Sequence, residues 1–406
     1  MTIALKMTAD LIIAEKKDDI VTSVISHLGE LFCKEPAHYN PGFFNGEAGI
    51  ILFLYYYCHY YCSADYYVAD KRLNMLLETL ERDCIMEASM AEGIIGVSLV
   101  LSHLCRKGFI SELDYLPEDL IDCVFDYTSD CLNHYTDELL YGAGGGLFLL
   151  LYEWEYSQKP SLYDRLASLS DLLFSRYEKK SHNDVFPRPF DTGIAHGYAS
   201  WLIIISRLVK WGIRPVNNQV ILDVLKKEYE SFLTTAYKEV YFPRTIMDRG
   251  AHVFWKRFGW CTGDLSCLAA LLQCYQYQNE KASFATAREM LKQLARRFDP
   301  FTYKVHDEAL CHGASGLHVL FYSMNKLSPC HEFSTACDYW FNSCIKQIDF
   351  CDDYLGFRRR YYDKREVLVC TKEIGVLEGL AGIGLAFISR HKGDYDWKEL
   401  FLLGNE

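Results

Sequence analysis

Short, strongly apolar runs alternate along this chain with longer segments in which apolar and charged positions are mixed. Runs such as 146–152, 201–206 and 316–322 are apolar on nearly every side, which is typical of a helix that is buried all round. The intervening segments, such as 167–180 and 287–299, place apolar residues at helical spacing with charges between them, which is typical of a helix with one wet face. Alternation at strand spacing is nearly absent. The pattern predicts an all-α protein built from paired helices.

A four-residue glycine signature with small residues at both ends precedes the apolar runs. Its first glycines lie 47 to 66 residues apart, at Gly46, Gly93, Gly142, Gly197, Gly263, Gly313 and Gly379. Each interval is wide enough for one helix pair. An inner ring of seven buried helices inside an outer ring of seven amphipathic ones is the simplest way to bury both sets. We expect the glycines to permit close backbone approach around a shared central cavity, where a Cβ would collide.

No linker divides the chain, so we expect a single domain over residues 1–406. The more polar stretches 184–191 and 239–256 come just before glycine copies, which places them near one rim of the ring. The second stretch, with Pro243, Arg244 and Asp248, is either a long loop that contacts substrate or an ordinary surface loop.

Composition narrows the class of protein. Half of the 406 residues are hydrophobic, the longest apolar runs are too short to cross a bilayer, and residues 1–20 have no secretory signal pattern. We therefore expect a cytoplasmic protein without a transmembrane segment. A formal net charge of −12 with no basic run argues against nucleic-acid binding. The 16 cysteines show no disulfide framework, so most are expected to be small buried hydrophobes.

Three glycine copies carry polar residues that could bind a metal or take part in catalysis. Cys261 lies two residues before Gly263, Cys311 and His312 lie two and one before Gly313, and His196 lies one before Gly197. Matching offsets on neighbouring inner helices place these side chains at one level, facing one cavity. Two thiolates and one imidazole are a zinc set that leaves the fourth tetrahedral position open, as catalytic sites do. Buried thiols beside a hydrogen-bonded core histidine are the alternative at this point.

The donor set also favours one kind of reaction. Two thiolates already neutralise Zn²⁺, and the metal still lowers the pKa of an incoming thiol, so the site suits thiol activation better than hydrolysis. His196 is a candidate general acid–base near neutral pH, or else a hydrogen-bonded core histidine.

The glycine signature and three motifs together resemble those of one known protein family. The chain resembles the lanthionine synthetase C family in the recurring Gly-x-x-Gly and in three motifs, which are Trp260-Cys261-x-Gly263, Cys311-His312-Gly313 and His196-Gly197. The likeness extends over essentially the whole chain in motif order and repeat count.

That resemblance implies an α/α toroid of seven inner and seven outer helices. It also implies a zinc ion held by Cys261, Cys311 and His312, and a role for His196 in proton transfer. Arg257, four residues before the first zinc cysteine, matches a family arginine that either stabilises the developing enolate or holds acidic partners.

The chain departs from the family at two points. Thr262 stands where the lantibiotic cyclases commonly have tyrosine. The family's acidic residue before the third glycine copy corresponds to Asp137 or Glu138: spacing favours Glu138 and residue type favours Asp137. Both are alternatively ordinary carboxylates at a solvated helix start.

The resemblance implies a zinc-dependent cyclase that adds peptide cysteine thiolates to dehydroalanine or dehydrobutyrine in a dehydrated precursor peptide, with a separate dehydratase and an exporter as partners. Three alternatives stay open. One is a member of the same fold that binds glutathione or modified peptides, and another is a carbohydrate-active toroid, which needs paired carboxylates. The third is a scaffold with a structural metal.

Overall fold

The structure, a computed structural model, describes most of the chain. The described residues are 2–34, 40–83, 87–111, 117–179, 188–233, 240–247, 252–363 and 365–404, with the side chains of 2–16 and 83 left out.

Within these residues, fourteen α-helices alternate between an outer and an inner layer. The outer helices are α1 (Thr2–Lys34), α3 (Tyr67–Asp83), α5 (Glu118–Asn133), α7 (Pro160–Lys179), α9 (Pro215–Leu233), α11 (Lys281–Ala295) and α13 (His331–Lys346). The inner helices are α2 (Glu47–Tyr61), α4 (Ile94–Arg106), α6 (Ala143–Ser157), α8 (Ala199–Lys210), α10 (Asp264–Tyr277), α12 (Ala314–Leu327) and α14 (Leu380–Lys392). Every inner helix begins one or two residues after the first glycine of a copy.

The inner helices form a closed ring. Each contacts the next inner helix along the chain, and α14 contacts α2, which joins the last copy to the first. The outer helices pack against this ring, and α1 packs against both α14 and α2. The predicted all-α toroid with seven inner and seven outer helices is confirmed.

Burial separates the two layers as the hydrophobic pattern predicts. In α6, all residues from Ala143 to Trp154 are buried, which is the behaviour of a helix surrounded by protein. In α7, the buried residues Leu162, Leu166, Leu169 and Leu173 recur at helical spacing along one face.

The repeated glycines allow neighbouring copies to come together. A Cβ on Gly96 would lie 2.1 Å from the Met90 carbonyl oxygen of its own turn and 2.8 Å from the Phe43 Cβ of the neighbouring copy. The close approach expected from the sequence is therefore present, but it occurs between adjacent copies and not across the cavity.

Two small sheets lie before glycine copies. The first falls in the stretches 184–191 and 239–256, where the sequence predicted polar loops, and the second falls where neither loop nor strand was predicted. Strands β1 (Phe190–Asp191), β2 (Pro243–Ile246) and β3 (Val253–Phe254) form an antiparallel sheet, and β4 (Arg359–Tyr362) pairs with β5 (Leu368–Thr371). Strands this short offer too few positions for alternation to be visible in sequence. The predicted loop residue Asp248 lies outside the described residues.

The C-terminal segment supports the inner ring beneath one glycine copy. After α14, a 3₁₀ helix over Asp396–Phe401 brings Phe401 against Trp260, with ring centroids 5.4 Å apart. The Trp260 indole N–H donates to the Phe401 carbonyl oxygen at 2.7 Å, which holds the turn before α10 in place. No helix in the described part of the chain is long and apolar enough to cross a membrane.

Candidate metal centre

The residues two positions before each first glycine lie side by side and form a belt of backbone hydrogen bonds. Their N–H groups donate to the next carbonyl oxygen as follows: Ala195 to Cys261 (3.2 Å), Cys261 to Cys311 (3.2 Å), Cys311 to Leu377 (2.9 Å), Leu377 to Phe44 (3.0 Å), Phe44 to Ala91 (3.1 Å) and Ala91 to Leu140 (3.0 Å). Among the described residues, no such bond joins Leu140 to Ala195. The belt places equivalent side chains at one level, as the equal offsets predict.

Three donors converge on this belt. The ligand atoms of Cys261, Cys311 and His312 all lie within 4.8 Å of one another. Cys311 and His312 are buried, and Cys261 is partly exposed. The Nδ1 atom of His312 is buried and has no hydrogen-bond partner among the described residues. An orphaned ring nitrogen beside two thiols fits the sulfur- and nitrogen-rich sphere that zinc prefers.

The two thiols already differ in acidity. The hydrogen bond from Cys311, together with the nearby His312 and Arg257, holds the pKa of the Cys261 thiol well below its usual range. The same hydrogen bond and burial hold the pKa of the Cys311 thiol well above its usual range. A thiol with a lowered pKa loses its proton more readily, which favours binding of a cation at this pair.

A cavity of about 300 Å³ opens onto the three donors. Its wall includes the residues directly before the first glycine in six copies, which are Asn45, Tyr141, His196, Thr262, His312 and Glu378. Sequence reasoning missed Asn45, Tyr141 and Glu378, although they have the same offset from the glycine as His196 and His312. That shared offset was the signal that identifies them as cavity residues.

His196 faces the cavity with a carboxylate behind it. Its Nδ1 lies 2.7 Å from Oε2 of Glu138, and slightly more than half of the His196 side chain is exposed. Oε1 of Glu138 accepts the Tyr141 backbone N–H at 2.7 Å, which fixes the carboxylate. The hydrogen bond to Glu138 raises the pKa of His196.

The chain matches a known protein family and is similar to a solved structure. The sequence model of the family described as lanthionine synthetase C-like protein matches residues 39–402. The chain belongs to this family. Among solved structures, it is similar to one titled nisin cyclase, with a TM-score of 0.71 and 17% sequence identity over 94% of this chain and 96% of that one. At that identity the likeness shows the fold. A search of curated protein sequences finds no match.

Within this lanthionine synthetase C-like protein, the two adjacent candidate carboxylates have separate surroundings. Asp137 is buried, accepts both Arg176 guanidinium N–H groups at 2.8 and 3.0 Å, and accepts the Tyr198 hydroxyl at 3.0 Å. The structure therefore brings Glu138 to His196 and places Asp137 in the core. Neither is a solvated carboxylate at a helix start.

Arg257 also lies on the cavity wall. Its guanidinium carbon is 4.8 Å from the Trp255 ring centroid, and its Nε is buried without a hydrogen-bond partner among the described residues. Arg257 forms no ion pair within the described part of the chain, so the alternative that it holds acidic partners has no support there. Thr262, the departure from the family tyrosine, lines the cavity with a buried, unpartnered hydroxyl oxygen among the described residues.

Proposed function

We propose that this protein is a zinc-dependent peptide cyclase. It adds cysteine thiols of a precursor peptide to dehydroalanine or dehydrobutyrine and forms lanthionine and methyllanthionine thioethers. The single observation that carries the proposal is the convergence of Cys261, Cys311 and His312 at a cavity that is also lined by His196, whose Nδ1 is hydrogen-bonded to Glu138. Membership of the lanthionine synthetase C-like family and the similarity to the fold of nisin cyclase support it.

Cys261, Cys311 and His312 would hold the metal. Three protein donors, and not four, converge within the described residues, which supports a catalytic over a structural ion. Zinc bound there would supply a fourth position for the peptide thiol and lower the pKa of that thiol. The two cysteine thiolates cancel the charge of the dication, which favours a sulfur nucleophile over activated water.

His196 would move the proton. With Nδ1 held by Glu138, Nε2 is the ring nitrogen left for the substrate. The neutral imidazole takes the proton from the peptide thiol, the sulfur adds to the β-carbon, and the alkene electron pair moves toward the adjacent carbonyl as an enolate. The imidazolium then returns the proton to Cα. The addition therefore consumes no proton, and the histidine ends in its starting state.

Arg257 would stabilise the enolate. It lies on the cavity wall without an ion pair among the described residues, and its charge already acts on Cys261. A guanidinium near a developing oxyanion lowers the barrier because it interacts more strongly with the charged intermediate than with the neutral substrate.

We place this activity in a cellular setting by inference. A separate dehydratase would supply the dehydrated peptide, an exporter would remove the product, and the cyclase, with residues 1–406 as one domain, would work in the cytoplasm. Every described cysteine is a free thiol, which fits a reducing compartment.

The decisive experiment compares ring formation by two alanine variants. The substrate is a synthetic peptide with one dehydroalanine and one cysteine, and product is scored by mass spectrometry after alkylation of unreacted thiols. We expect Cys311→Ala to lose zinc and at least about two orders of magnitude in rate. The control Cys351→Ala removes an exposed thiol and should match the wild type. Full ring formation by Cys311→Ala would rule out the mechanism.

A further inference from the structure

Two arginines that form no ion pair within the described residues share one indole ring on the wall of the cavity. The guanidinium carbons of Arg244 and Arg257 lie 5.0 and 4.8 Å from the centroid of the Trp255 ring. All three residues line the same cavity as Cys261 and Cys311. Neither arginine forms an ion pair with any residue in the described part of the chain.

Arginines with no ion pair inside the described part of the chain are unusual in this protein. Most arginines of the described structure have a carboxylate within ion-pair distance, including Arg359 near the cavity, which pairs with Glu378 at 3.0 Å. The chain carries a formal charge of −12, so carboxylates are abundant. Asp191, the remaining acidic residue of the cavity wall, accepts a hydrogen bond from the Thr245 hydroxyl at 2.6 Å and lies beyond ion-pair distance of both arginines.

The backbone around Arg244 is held in place. The Arg244 carbonyl oxygen accepts the Thr192 N–H at 3.0 Å, and β2 pairs with both β1 and β3. On the other side, the Arg257 carbonyl lies in the turn before α10, where Gly263 has a φ of +93°. Both arginines therefore extend from ordered backbone, and stacking on one indole limits the positions of their guanidinium groups. A fork of donors held in this way is suited to a carboxylate.

We propose that Arg244, which shares the Trp255 ring with Arg257, binds a substrate carboxylate in a subsite beside the metal centre and leaves Arg257 for the enolate, so that the preferred thiol substrate carries a carboxylate close to its cysteine. This inference rests on the proposed function, because it concerns the thiol that occupies the centre. The carboxylate comes either from an acidic residue next to the cysteine or from a C-terminal cysteine.

The test uses binding and not turnover. The protein is loaded with Co²⁺ in place of zinc, and thiols are titrated while the absorption of the cobalt–thiolate bond is recorded. N-acetylcysteine is compared with N-acetylcysteinamide, which lacks the carboxylate. At low salt we expect the acid to bind about ten- to hundredfold more tightly, the range for a hydrogen-bonded charge pair in a partly desolvated site.

Two variants test whether the preference for the acid over the amide arises from Arg244. Arg244→Gln should reduce the acid-to-amide ratio toward one, whereas the control Arg296→Gln, at an exposed position on the outer ring, should keep it. Comparing ratios between proteins cancels the intrinsic difference in thiol acidity. A ratio that stays unchanged in Arg244→Gln would overturn the subsite, and so would wild-type ratios near one both for this pair and for a dipeptide pair with Glu or Gln beside Cys.

A second pair of probes, used together with the first, separates the two sources of the carboxylate. Acetylated, amidated dipeptides with Glu or Gln beside Cys report an acidic neighbour, and N-acetylcysteine reports a C-terminal cysteine; a gain in either pair that Arg244→Gln abolishes supports the subsite. If neither thiol changes the cobalt–thiolate absorption that Cys261 and Cys311 already produce, the proposed function itself fails. If both change it without discrimination, only the subsite fails.

Discussion

The belt of backbone hydrogen bonds has two arcs with the same geometry and different chemistry. The metal arc consists of Ala195, Cys261 and Cys311, and the apolar arc consists of Leu377, Phe44, Ala91 and Leu140. Their backbone bonds have similar lengths, from 2.9 to 3.2 Å. The repeated glycine turn therefore supplies equivalent positions around the ring, and the side chains at two offsets decide which of them can hold a metal.

The arcs also differ in what surrounds them. The C-terminal segment contacts both arcs, because the Phe401 ring lies 5.5 Å from Phe44 and 5.4 Å from Trp260, so the difference lies elsewhere. The metal arc is preceded by the sheet of β1, β2 and β3, which contributes Arg244 to the cavity. The comparison indicates that copies in the apolar arc contribute mainly to stability, whereas substitutions in the metal arc should change the metal and the substrate.

The largest effect on stability is expected in copy three, which belongs to the apolar arc. Asp137→Asn leaves the buried Arg176 guanidinium without its carboxylate, so we expect a loss of about 3–5 kcal/mol in the free energy of unfolding. Urea denaturation measures this loss, and the zinc content of the folded protein should stay unchanged. Asp122→Asn is the control, because the Asp122 side chain is more than half exposed and its pair with Arg165 is expected to contribute less than about 1 kcal/mol. Equal losses in both variants would contradict the core role of Asp137.

In the metal arc we expect a smaller loss of stability together with weaker zinc binding. Gly263 has φ +93° and ψ −179°, and a Cβ there would lie 2.1 Å from the Arg257 carbonyl oxygen. Gly263→Ala should therefore lower the free energy of unfolding by about 2–3 kcal/mol. Because it moves the turn that carries Cys261, it should also weaken zinc binding, which competition with a chelator measures.

The matched control for that variant is Gly393→Ala. Gly393 also has a positive φ of +76°, but a Cβ there meets nothing within 4 Å. It should cost about 1 kcal/mol of backbone strain and leave zinc affinity unchanged. The account of the metal arc is contradicted if Gly263→Ala binds zinc as tightly as the Gly393 variant does.

The smallest effect on stability is expected at the gap between the arcs, where Glu138 bonds His196. Glu138 raises the pKa of His196, so Glu138→Gln should lower it, and the acid limb of the rate profile should move to lower pH because more imidazole is neutral there. The His196–Glu138 pair stabilises the fold fully at pH values below the pKa that His196 has in the unfolded protein. This stabilisation is lost as the pH rises through the higher pKa that His196 has in the folded protein. The variant should thus lose stability mainly at low pH. An NMR titration of His196 with an unchanged pKa would show that the contact does not act on the ring.

The sequence predicted the parts of the molecule that repeat. Equal offsets from the glycines placed Cys261, Cys311 and His312 at one level, because each copy repeats the same turn before its inner helix. The choice between Asp137 and Glu138 was beyond such reasoning. Neighbouring residues point in different directions, and the decisive partner Arg176 lies 39 residues away in the chain. The pairing of Arg244 with Trp255 could not be predicted from the sequence either. Both residues lie between glycine copies, where no fixed offset from a glycine relates them to the cavity.

The central claim is that two cysteines and one histidine bind a metal with a position left for a substrate thiol, and zinc K-edge X-ray absorption tests it most directly. The account predicts one zinc per chain with two sulfurs at about 2.3 Å and one imidazole nitrogen at about 2.0–2.1 Å. Addition of a peptide thiol should raise the sulfur count to three. A protein that binds no stoichiometric zinc, or a zinc whose sulfur count stays the same with thiol present, would contradict it.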